Sequence, residues 1–193
     1  NAGQVGVSGT LFLQSGTSSG GTSGAIMLTT GDGETGGAGG ITLSVGASDI
    51  DDGGDISITA GLSTSSDGGD LIFLSGTSGA VSSGTVSIAT PDGAGVNGES
   101  GAITLVTGAA SNGESGALTI DTGDATAGDS GSFAVSIGSS AGGNGGDITL
   151  SAGNSSSTGR GGHVTISTGV STDSASGAVT ITSADSDNAI GLL

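Results

Sequence analysis

Ser176-Gly177-Ala178-Val179-Thr180-Ile181-Thr182-Ser183 is one copy of a pattern that recurs twelve times and sets how the rest of the chain is read. Each copy has a glycine, a small or acidic residue, then two large apolar residues separated by one variable position. The first large apolar residue falls at Leu11, Ile26, Ile41, Ile56, Leu71, Val86, Ile103, Leu118, Phe133, Ile148, Val164 and Val179. Successive copies lie fifteen residues apart, except for one step of seventeen and one of sixteen. A fixed internal period is the mark of a repeat architecture and outranks chain length as a guide to fold.

Alternation of apolar and polar positions is the period of a half-buried β-strand. The second apolar member of each pair, from Leu13 through Ile58 to Ile181, always lies two residues after the first. A glycine precedes every first member by two residues, from Gly9 to Gly177, which calls for either positive φ or close approach of a neighbouring segment. The connections, such as Leu62 to Gly68, are too short and too poor in helix formers for helices, and no regular Asn-Gly or Asp-Gly hairpin signal recurs. The pattern therefore predicts an all-β, single-domain β-solenoid over residues 1–193. It would contain about twelve 15-residue rungs, each with one short apolar strand stacked parallel on the next. Two units per turn is the alternative geometry. Small residues at Ser18, Ser63, Ala110, Ala125 and Ser155 are expected to line the narrow second side. The longer steps, at Pro91–Ser100 and around Thr158–Gly161, are expected to bulge at corners.

Composition narrows the function. The chain has 44 glycines in 193 residues, three phenylalanines, no Cys, Trp or Tyr, and a formal charge of −17, with Arg160 as the sole Lys or Arg. Such a surface repels phosphate and anionic headgroups, which argues against nucleic acid and membrane surfaces as partners. No apolar run approaches the length needed to span a bilayer. Absence of cysteine excludes a disulfide framework. A start at Asn1 rather than Met is the expectation for a segment of a longer chain.

Motifs for chemistry are sparse. Gly31–Gly36 and Gly93–Gly98 carry the glycine spacing of a phosphate loop, but neither opens a helix and the chain has no lysine. Gly142-Gly143-Asn144-Gly145-Gly146-Asp147 resembles the Gly/Asp-rich calcium-binding β-roll repeat, though with a different period. Stacked rungs would bring Asp55 over Asp70 and Asp52 over Asp67, where like charges favour screening or a bridging Ca²⁺. A solvated acidic corner is the preferred reading, so no cofactor is expected and Ca²⁺ is the alternative. His163 is the only histidine, which excludes a multi-histidine metal site. It would stack beside Asp147, a pair better read as a surface contact than as part of a catalytic triad, and no catalytic residue is assigned.

Between and after the apolar pairs runs a rank of hydroxyl residues that includes Thr42, Thr104, Thr119, Thr149, Thr165, Thr180 and Thr182. It resembles the Thr-x-Thr face of insect-type β-solenoid ice-binding proteins, and that resemblance implies an outward binding face for ice or a glycan surface. Threonine also favours exposed strand positions on its own account. Asn154-Ser155-Ser156 is the single N-glycosylation sequon, in a corner loop. The chain as a whole resembles the Gly/Ser/Thr-rich short-repeat solenoids of extracellular fibres, stalks and cell-surface proteins. That resemblance implies a non-enzymatic, extracellular or cell-surface structural protein. Open ends without a polar cap are expected to associate head to tail into a filament.

Overall fold

A computed structural model describes residues 8–96 and 98–184. Among them there is neither a helix nor a strand. The β-solenoid reading is therefore corrected: the repeat is real, but no ladder of stacked strands forms among the described residues. The backbone divides into two units, Asn1–Ile103 and Thr104–Leu193.

What repeats in each unit is a bend. In the first unit it falls at residues 19–21, 34–36, 49–51, 64–66 and 79–81, and in the second at 111–113, 126–128, 141–143, 156–159 and 172–174. Every bend occupies the middle of a connection between apolar pairs, and nearly all close approaches of the backbone join residues fewer than twelve positions apart. The seventeen-residue step holds a bend at 95–96, with Gly95 at φ 92°. Only glycine adopts that region without strain.

Several connections close on themselves through a backbone bond. The Gly69 amide donates to the Gly61 carbonyl at 2.9 Å, Gly84 to Gly76 at 2.8 Å, Gly162 to Gly153 at 2.9 Å and Gly177 to Gly169 at 2.9 Å. In an equivalent place Thr30 Oγ1 donates to the Gly39 carbonyl at 3.0 Å. From Gly24 to Gly177 the glycine before each apolar pair thus approaches the end of the preceding segment, as in a compact loop whose ends lie together. At Gly162 an added Cβ would lie 3.2 Å from the Gly153 nitrogen and 3.2 Å from Ala152 Cβ. Close approach, rather than positive φ, explains this recurring glycine.

Loop closure does not extend into a sheet. One backbone bond joins the ends of such a loop, and the apolar segments beyond it make no ladder among the described residues. Two large apolar residues in fifteen bring too little burial to offset the entropy of ordering the remainder. No hydrophobic side chain among the described residues is buried.

Candidate functional site

Serine builds five of the bends. Ser63 Oγ accepts from the amides of Ser65 at 3.4 Å and Ser66 at 3.0 Å, and Ser78 Oγ from Ala80 at 3.2 Å and Val81 at 3.0 Å. Ser48, Ser140 and Ser171 accept from the amides of Asp51, Gly143 and Ser174, each at 3.0 Å. A serine hydroxyl bonded three residues onward replaces a backbone acceptor and stabilises a turn. Position 63, read from the sequence as lining a narrow interior, is thus the head of a bend. Its small size serves the turn. Serine followed by a Gly/Ser/Asp cluster was the available signal.

The apolar pairs form the most extensive chemically uniform feature. Their exposure runs from 51% at Leu71 and Val179 to 94% at Leu11, so both members of every pair face solvent. Thr42, in the first unit, and Thr104, Thr119, Thr149, Thr165, Thr180 and Thr182, in the second, are likewise exposed. No inward apolar face sets them apart as an outward one. In the plainest case Ile41 and Leu43, at 54% and 73% exposure, flank Thr42.

Other polar candidates are dispersed. Arg160 Nη2 lies 3.3 Å from His163 Nε2. A guanidinium only donates, so in this contact Nε2 is the acceptor. The contact gives His163 a cationic neighbour within its own loop. Among the described residues no three acidic or histidine side chains come together to hold a metal ion. The stacking of Asp55 on Asp70 and of Asp52 on Asp67 loses its basis with the strands. No cavity is present among the described residues. Asn154 is exposed and lies just before the bend at 156–159.

No protein-family model, curated protein or solved structure matches this chain. The chemistry of its own residues therefore carries any reading of its role. The described residues contain no helix long and apolar enough to cross a membrane.

Proposed function

We propose that the chain is a non-enzymatic structural protein, an acidic spacer or fibre component of the extracellular or cell-surface kind, that self-associates through its apolar pairs. The observation that carries this reading is the regular exposure of those pairs, with no buried hydrophobic residue among the described ones. Large exposed apolar area marks an interaction surface. A stable interface between proteins buries roughly 1200–2000 Å² in total. The exposed pairs recur in both units and offer apolar area for several such contacts.

A second copy fits this surface best. It offers the same pairs at the same fifteen-residue interval, so matching one pair brings others into register. The charge of −17 opposes association and limits it to contacts rich in apolar area. Negative-stain microscopy at moderate concentration tests the reading: the expected result is extended assemblies, and strictly monomeric particles would sink it. Adsorption to ice or a glycan surface through Thr42, Thr104, Thr119, Thr149, Thr165, Thr180 and Thr182 is the second reading, supported by their exposure. A thermal-hysteresis assay with no effect at high protein concentration would dispose of the ice form of it.

A further inference from the structure

The bend at 111–113 differs from its serine-headed counterparts in one respect with a chemical consequence. Ala110 stands where Ser48, Ser63, Ser78, Ser140 and Ser171 stand in theirs. Those serines tie down the amide three residues onward. In the Ala110 bend that amide belongs to Gly113, and among the described residues it donates to no acceptor. The residue before it is Asn112, exposed to solvent. A Cβ added at Gly113 would meet nothing within 4 Å, so the approach to its nitrogen is open.

We propose that Asn112 is a site of spontaneous modification, in which its side-chain amide cyclises onto the Gly113 nitrogen and is then hydrolysed to a carboxylate. The Gly113 nitrogen attacks Asn112 Cγ and forms an N–Cγ bond. The Cγ–Nδ2 bond breaks, and the nitrogen leaves as ammonia, carrying the proton lost from the Gly113 amide. The resulting five-membered imide then consumes one water. Opening at Cγ breaks the new N–Cγ bond and leaves aspartate. Opening at the main-chain carbonyl breaks the original peptide bond and leaves isoaspartate, whose backbone passes through the side-chain carbon. Nothing is oxidised or reduced, and water is the only co-reactant.

Each outcome alters the repeat. Both add a negative charge to a chain already at −17. Isoaspartate also lengthens the backbone by one carbon in the middle of a bend and displaces the fifteen-residue register that follows. The reaction rate is set by one hydroxyl that this bend lacks.

Asn144-Gly145 supplies an internal reference on the same molecule. Gly145 also has open space at its Cβ, and it lies beyond the bend at 141–143 with Gly142, not a serine, three residues before it. The experiment incubates the full chain at mildly alkaline pH and follows Asn112 and Asn144 by peptide mass mapping, with isoaspartate detected enzymatically. Ala110→Ser is compared with the unaltered protein. The expected result is conversion at both asparagines in the parent chain and a several-fold slowing at Asn112 alone in A110S. The variant Gly113→Ala, which places a methyl beside the attacking nitrogen, should slow Asn112 as well. Failure of Asn112 to convert, whether or not Asn144 does, overturns the proposal. Equal rates at Asn112 in the parent and in A110S overturn the role of the unpaired amide.

Discussion

Ser63 Oγ and its counterparts accept backbone amides within the bend, and that bond sets different outcomes for substitutions at the same place in different repeats. Ala125 heads the bend at 126–128 without a hydroxyl. Ala125→Ser should tie down the Gly128 amide and slow its hydrogen exchange by about two- to five-fold, the effect of a partly exposed bond worth up to about 1 kcal/mol. Gly33→Ser makes the same nominal change with the opposite result. A Cβ at Gly33 would press on the Gly36 carbonyl oxygen and lie 2.9 Å from the Gly37 carbonyl carbon, so the bend at 34–36 must open. Faster amide exchange across that bend is the expected readout. Arg160 offers a third test, because it is the only Lys or Arg and is exposed beside the bend at 156–159. Trypsin should cut the native chain there at a rate close to that of an unfolded peptide, since cleavage follows local opening. Slow cleavage would show protection that the irregular backbone does not supply.

At the scale of the connections, the closing bond from Gly162 to Gly153 accounts for the recurring glycine. Gly162→Ala should expose the Gly162 amide to faster exchange, because the added methyl meets the Gly153 nitrogen at 3.2 Å and the Gly153 backbone must shift away from its closing bond. Positions of the apolar pairs, lengths of the connections and closeness at the glycines were all legible, since each depends on spacing over fifteen residues or fewer. Strand pairing was not. Alternation at Ile56 and Ile58 suits a strand, but a ladder also requires a partner segment, and partner choice is a non-local property that spacing does not encode. The small size of Ser63 suits a narrow interior, but no such interior is present among the described residues. The apolar pairs were expected to be buried within the chain, and their exposure redirects the candidate surface from the threonines to the pairs themselves. Asn154 and the threonines lie in exposed segments, as their polarity allows.

At the scale of the whole molecule, opposing forces govern association. Apolar pairs favour it, and the net charge of −17 resists it. Salt weakens the repulsion between exposed charges, with a screening length of about 10 Å at 0.1 M and about 3 Å at 1 M, while leaving apolar burial intact. Association should therefore increase with ionic strength. Ca²⁺ should act no more strongly than a monovalent salt of equal ionic strength if apolar contact is the cause. Sedimentation velocity of the native chain beside the double variant Ile56→Asp, Ile58→Asp tests the central claim most directly. The apolar pairs predict larger species that grow with native concentration and fall back toward monomer in the variant. A single monomeric species for the native chain at every concentration, or assemblies unchanged by the two aspartates, would contradict it.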